Sequence, residues 1–162
     1  MLKFKGRVIS VKRDFIDRVL IVAIIPYFLE KGNLWFEENL EKILEARKTQ
    51  SFWEDNTLFL ERGQTYHLSS FLRKLDELGY ERVWQVTEPG EFSQRGGIIE
   101  VFPINLNLAI RLEFLGNRIE SIERLEVKIK DEKIFKNILK KRLRSQRVYS
   151  DLTGLKLSLI HI

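Results

Sequence analysis

Ser69, His67 and Asp76 supply, on paper, the nucleophile, base and orienting acid of a hydrolytic triad. No nucleophile-elbow motif surrounds the serine, and trios of this kind arise by chance in most chains. Two histidines, His67 and His161, leave little for a metal, and the absence of cysteine removes thiolate nucleophiles, disulfides and cysteine-bound zinc. Glu37 and Glu41 lie one helical turn apart, the usual spacing of a solvated face. None of Gly63, Gly79, Gly90, Gly96, Gly97, Gly116 or Gly154 falls in a phosphate-cradling Gly-x-x-x-x-Gly-Lys-Ser/Thr loop. The expectation is a chain without catalytic residues, metal or cofactor. What packing does not demand is the grouping of Arg95 with Gly96, Gly97 and nearby Phe92. An arginine beside an aromatic on a rigid strand end suits a protein interface. On residue types alone a second reading is open, in which Arg95 pairs with a carboxylate and Gly96-Gly97 is a bulge.

The elements that must hold this grouping follow from periodicity. Residues 2–29 read as extended or buried structure, with β-branched residues 19–25 as an interior strand ended by Pro26. Asn33 is a candidate N-cap for an amphipathic helix carrying Leu34, Phe36, Leu40, Ile43, Leu44 and Arg47 and ending near Lys48. Residues 49–56 read as a loop, residues 57–60 as a short strand, and Arg62-Gly63 as a turn. Leu68, Phe71, Leu72, Leu75 and Leu78 form one apolar stripe, with Gly79 at the left-handed C-cap and Tyr80 returning to the core. Strands follow at 82–86 and 97–102, and the alternating segment 109–115 turns at Gly116-Asn117 into 118–127. Alternation puts Arg111 and Glu113 on the face opposite Ile110, Leu112 and Phe114, where they can face a partner or pair across the sheet. Asp131 caps a last helix with the stripe Ile134, Phe135, Ile138, Leu139 and Leu143. The fold class expected is α+β, a small antiparallel sheet packed with helices plus a C-terminal basic helix.

Charge divides the chain. Residues 1–20 carry +4, residues 128–147 carry +7, and residues 21–127 carry −6, which together make the net +5. A basic pI would ordinarily suggest nucleic acid, but the excess sits in the terminal segments. The longest apolar run, residues 19–25, is far short of the roughly 18–20 residues that cross a bilayer. No small-residue cleavage site follows it, so neither a membrane span nor a signal peptide is expected. With no cysteine, a reducing cytoplasm is the expected compartment.

The stretches LGYERV at 78–83, EPGEFSQRGGIIEVFP at 88–103 and IRLEFLGNRIESI at 110–122 resemble, in order and spacing, the UvrB interaction domain shared by the repair helicase UvrB and the transcription-repair coupling factor. The likeness spans about residues 57–122, and the PGEF…RGGIIEVFP wording is nearer to the coupling factor. It implies a non-catalytic module that docks onto UvrA, the damage-recognition ATPase of nucleotide excision repair. Carried over by position, it implies partner-binding roles for Arg82, Phe92, Arg95, Gly96, Arg111 and Glu113. The domain division expected is 1–56 as a remnant of a preceding domain, 57–127 as the docking module, 128–148 as a basic connector and 149–162 as the start of a following domain. The Walker A loop and motor domains of the full-length relatives are absent from this sequence, so a truncated coupling-factor-like chain is expected. An RNA-polymerase contact would need the missing downstream domain. Asp-Pro-x-Thr, usual after the Glu-Ser-Ile strand, is replaced by Arg124-Leu125-Glu126-Val127. Two rival readings remain. One is DNA or RNA binding by the basic helix through Lys140, Lys141, Arg142 and Arg144; the other is a gene fragment with no independent role.

Overall fold

The computed structural model describes residues 13–126 and 131–145, together with the backbone of two short strands at 2–4 and 7–9. Those two, β1 (Leu2–Phe4) and β2 (Arg7–Ile9), pair antiparallel. β3 (Asp14–Ile16) and β4 (Arg18–Val22) follow, separated by a bend at Asp17. Then come four short helices: α1 (Pro26–Leu29), α2 (Asn33–Glu38), α3 (Leu40–Thr49) and α4 (Ser51–Asn56). β5 (Thr57–Glu61) and α5 (Leu68–Glu77) lead into β6 (Glu81–Arg82), β7 (Glu91–Arg95) and β8 (Ile98–Val101). β9 (Ala109–Leu115), β10 (Arg118–Leu125) and α6 (Glu132–Ser145) complete the order. The larger sheet runs β3-β10-β9-β8-β7-β6, and β4 pairs with β5 in a second, two-stranded sheet. The class is α+β, as the sequence predicts.

The buried run 19–25 begins as β4 and continues extended. One edge of β4 is taken by β5, with Val19 opposite Leu60 and Val22 opposite Thr57. Among the described residues no strand supplies the other edge. There Asn105 Nδ2 donates to the Leu20 carbonyl at 2.8 Å, and Tyr80 Oη donates to the Val22 carbonyl at 2.9 Å. Ile24 N donates to the Leu78 carbonyl at the end of α5, also at 2.9 Å. A buried strand must have its backbone groups bonded, and here side chains and a helix end do what a neighbouring strand would do. The core joins β4 and β5 to α5 and the inner face of the larger sheet through Ile21, Leu60, Phe71, Leu75, Ile99 and Leu112, all fully buried.

Tyr80 is central to this join, because its hydroxyl also accepts from Ile104 N at 3.1 Å. Burial pushes the phenol well above its ordinary pKa of 10.0, with the Ile104 hydrogen bond acting in the opposite sense. The folded chain therefore keeps this proton where the unfolded chain has lost it. The native state then binds more protons, and stability falls as pH rises above the ordinary tyrosine pKa. Tyr80→Phe is expected to cost about 1–3 kcal/mol by stranding a buried carbonyl and N–H, and to flatten part of the alkaline fall. Urea unfolding near neutral pH and again above about pH 10 checks both, and an equally steep fall in the variant would count against this account.

Several local expectations change. Pro26 does not simply end the buried run but sits in the first turn of α1, where its missing N–H costs nothing. The helix expected over 33–48 is two helices, and Gly32, not Asn33, occupies the N-cap position. The break falls at Asn39, whose Nδ2 donates to the Trp35 carbonyl at 2.8 Å, a local side-chain bond that competes with the continuing helix. Residues 51–56, read as loop, form α4, too short to display a period. Asn56 Nδ2 and Thr57 Oγ1 bond back to the carbonyls of Phe52 and Trp53 and close that helix. Trp53 is fully buried, its ring 5.4 Å from that of Phe28. The strand read over 82–86 is only the two residues of β6, and it runs parallel to β7, the one parallel pairing among the described strands. In α6 the buried side is Leu139 and Leu143, with Phe135 and Ile138 half-buried. Ile134, placed in the stripe by its spacing, is exposed.

Candidate docking edge of the sheet

Strand alternation sorts the larger sheet into two faces. Phe92, Ile99, Val101, Ile110, Leu112, Phe114, Ile119 and Ile122 point into the core. The other face carries two cross-strand rows, Ser93-Glu100-Arg111-Glu123 and Arg95-Ile98-Glu113-Ser121. At one end of this face Val86, Phe102 and Ala109 form a small apolar cluster closed by Val83, Leu125 and Phe135. α6 thus helps cover that end.

The remainder of the face is charged. Arg111 donates through Nε and Nη2 to Glu100 Oε1 at 3.0 and 2.6 Å. Arg13 donates through Nε and Nη2 to the Glu123 carboxylate at 3.2 and 3.1 Å, and its Nη2 lies 3.7 Å from Glu113. The Arg13 guanidinium also lies 5.1 Å from the centre of the Phe15 ring, which is itself exposed. Arg111 and Glu113 are therefore both tied into ion pairs across the sheet, with Glu100 and Arg13. Partly exposed pairs of this kind contribute little to stability, but they fix the charge pattern of the face.

Arg82 and Arg95 flank the β6–β7 end of the larger sheet. Arg82 Nη2 donates to Gln94 Oε1 at 2.8 Å, and Gln94 Nε2 donates to the Gly96 carbonyl at 3.2 Å. In register Arg82 sits beside Phe92, so it belongs to the core side of the edge, whereas Arg95 belongs to the outer side. Arg95 and Ile98 face each other across a two-residue hairpin loop. Gly96 has φ +61° there, the left-handed conformation that the turn requires, with open space around it. Gly97 is needed for close approach: a Cβ would lie 2.5 Å from the Phe114 carbonyl oxygen, and Phe114 N donates to the Gly97 carbonyl at 2.7 Å. Gly96-Gly97 is thus a hairpin turn and not a bulge. Among the described residues no carboxylate lies within 4.0 Å of the Arg95 guanidinium, so the alternative reading of an internal ion pair does not hold.

Phe92 is 1% exposed and supports β7 from the core side, so it offers no surface to a partner. The aromatic at the surface is Trp84, which residue spacing did not single out. Arg95 Nη2 donates to the Trp84 carbonyl at 3.2 Å, and the guanidinium lies 5.0 Å from the indole centre. Val83 N donates to the Phe92 carbonyl at 2.8 Å, and Val83 and Val86 pack into the small apolar cluster on either side of the tryptophan. The following turn is tied by the Glu91 carboxylate, which accepts from Thr87 N at 2.9 Å and Glu88 N at 3.0 Å. A tryptophan between two core valines, just ahead of a Pro-Gly turn, was the available signal.

His67, Ser69 and Asp76 are all exposed, and among the described residues no hydrogen bond joins them. Seven residues of α5, about 10 Å of helix rise, separate Ser69 from Asp76. Among the described residues no group of histidines and carboxylates could hold a metal, and no helix is long and apolar enough to cross a membrane. On α6, Lys133, Lys140 and Lys141 are exposed, while the side chains of Arg142 and Arg144 lie outside the described residues.

A family model described as the UvrB interaction domain matches residues 58–149. The transcription-repair-coupling factor of Staphylococcus epidermidis is 37% identical over 75 residues, covering 46% of this chain and 6% of that protein. The transcription-repair-coupling factor of Staphylococcus aureus is 37% identical over 81 residues, covering 50% of this chain and 7% of that one. The chain thus spans less than a tenth of the length of these curated relatives. The family match takes in α5, β6 to β10 and α6, every element that builds the edge and its support, and by it the chain belongs to the UvrB interaction domain family.

Proposed function

We propose that this chain is a non-catalytic docking module of a coupling-factor-like repair protein, and that its partner is UvrA of nucleotide excision repair. The observation that carries the reading is the β6–β7 edge, where Arg82 and Arg95 stand exposed with no carboxylate paired to them among the described residues, within the segment that matches the family. Arginine exposed on rigid strands offers a partner forked donors in fixed positions and speeds association with an acidic surface. Arg111 and Glu113 act less directly: their pairs with Glu100 and Arg13 hold the neighbouring face in one arrangement. We assign the docking unit to residues 57–127 and read 128–148 as a connector, in keeping with the burial of Leu139 and Leu143. The cysteine-free composition suits a cytoplasmic setting. DNA binding through α6 is the second reading, and it draws on the exposed lysines 133, 140 and 141.

Titration of the chain with UvrA at low and moderate salt tests the docking reading, with the Arg82→Ala, Arg95→Ala double variant alongside. The expected result is saturable binding that weakens with salt and is lost in the double variant. A cooperatively folded chain that does not bind UvrA would reject it.

A further inference from the structure

We infer that Trp84 and Arg95 act together as one recognition element, an indole stacked with a guanidinium, that seats in a protein pocket combining an apolar wall with a carboxylate. The inference rests on the docking reading and adds to it the residue that anchors the contact. Trp84 is 82% exposed, more than any other large hydrophobic side chain among the described residues, although the Arg95 guanidinium lies 5.0 Å from its ring centre. The Trp84 backbone is nonetheless held in place. The valines at 83 and 86 are packed into the outer-face cluster on either side of it, and its carbonyl is bonded by Arg95. Arg95 is held in turn by the hairpin loop and by the ring it covers. A backbone and a guanidinium already held in place lower the ordering cost of association.

Composition points the same way. Tryptophan and arginine are the residue types most enriched at interface hot spots. Ile98, opposite Arg95 and 42% exposed, extends the apolar area beside them. Of the five N–H donors of Arg95, one is used on the Trp84 carbonyl, which leaves donors for a carboxylate. A stacked tryptophan with an arginine also suits single-stranded nucleic acid. The surroundings favour protein, because the neighbouring cations of this face, Arg13 and Arg111, are already held by Glu113, Glu123 and Glu100 and so are not offered to a phosphate backbone.

The three tryptophans of the chain allow a direct test. The full chain is labelled with 5-fluorotryptophan, its Trp84 resonance is assigned with Trp84→Phe, and it is titrated separately with UvrA and with an oligothymidylate. UvrA is expected to shift or broaden the Trp84 signal ahead of those of Trp35 and Trp53. Affinity for UvrA should fall at least tenfold in Trp84→Ala, return in large part in Trp84→Phe, and not return in Arg95→Lys. Melting temperature should be unchanged in each, since the ring is exposed. UvrA binding that is equally tight in Trp84→Ala would overturn the anchor while leaving the docking reading standing. Absence of UvrA binding by the unaltered chain would remove the docking reading and the anchor with it. A Trp84 response to the oligothymidylate and not to UvrA would make nucleic acid the occupant and overturn the protein assignment.

Discussion

Arg95→Ala is expected to weaken binding to UvrA by about 2–5 kcal/mol, the range for truncating one partner of a desolvated charged hydrogen-bonded pair. That corresponds to roughly 30-fold to more than 1000-fold in Kd. The size follows from how the side chain is held. Its guanidinium is fixed by the Trp84 carbonyl and ring, and its strand by the Gly96-Gly97 hairpin, so the fork is presented in one orientation. Removing it would also leave a partner carboxylate buried without a cation, which accounts for much of the expected cost. The variant should keep its melting temperature, because Arg95 is exposed and makes no ion pair among the described residues. Isothermal titration of the folded variant decides the matter, and an unchanged Kd would remove Arg95 from the docking surface.

The largest effect on stability is expected at Phe71. This ring is fully buried at the middle of the α5 stripe, 5.4 Å from the Phe114 ring on the sheet and 5.9 Å from that of Tyr66. It is thus the point at which helix and sheet meet. Phe71→Ala should cost about 3–5 kcal/mol, the transfer of the lost ring plus the cavity left between two rigid elements. In a chain of this size that is a fall of about 10 °C in melting temperature. Scanning calorimetry would measure it, and a loss below about 1 kcal/mol would mean that α5 is not held to the sheet as described.

The docking edge depends on that packing. α5 closes over the inner face of the sheet, and Gly79 at its end, φ +91°, turns the chain so that Tyr80 enters the core and Arg82 emerges at the edge two residues later. Deleting Phe71 would therefore loosen the support of β6 as well as the core. Arg95 belongs to the β7–β8 hairpin and should be less affected, because its neighbours across the sheet are joined by strand pairing.

Much of this was legible in the residues themselves. The stripe Leu68, Phe71, Leu75 and Leu78 specifies α5 and its buried side, since a period of 3.6 sustained over three turns has one solution. Alternation through 109–115 and the Gly-Asn turn specify the β9–β10 hairpin and put Arg111 and Glu113 on one face. The Arg-Gly-Gly motif singles out Arg95, but strand β7 and its hairpin with β8 are not legible in it. The tertiary structure alone decided the rest. α4 is too short for a period to emerge, and it exists because Trp53 fills a site among Tyr27, Phe28 and Phe52. The free edge of β4 is satisfied by Asn105 and Tyr80, residues 85 and 58 positions away in the chain, and no local pattern encodes a partner so distant. The same limit exchanged the two aromatics at the edge. Phe92 and Trp84 both precede Arg95 in sequence, but the core packed on one face of β7 and β8 buries Phe92, whereas Trp84, beyond the end of β6, stays in solvent beside the arginine. Spacing along a strand says which residues share a face; which face is covered is decided by what packs against it.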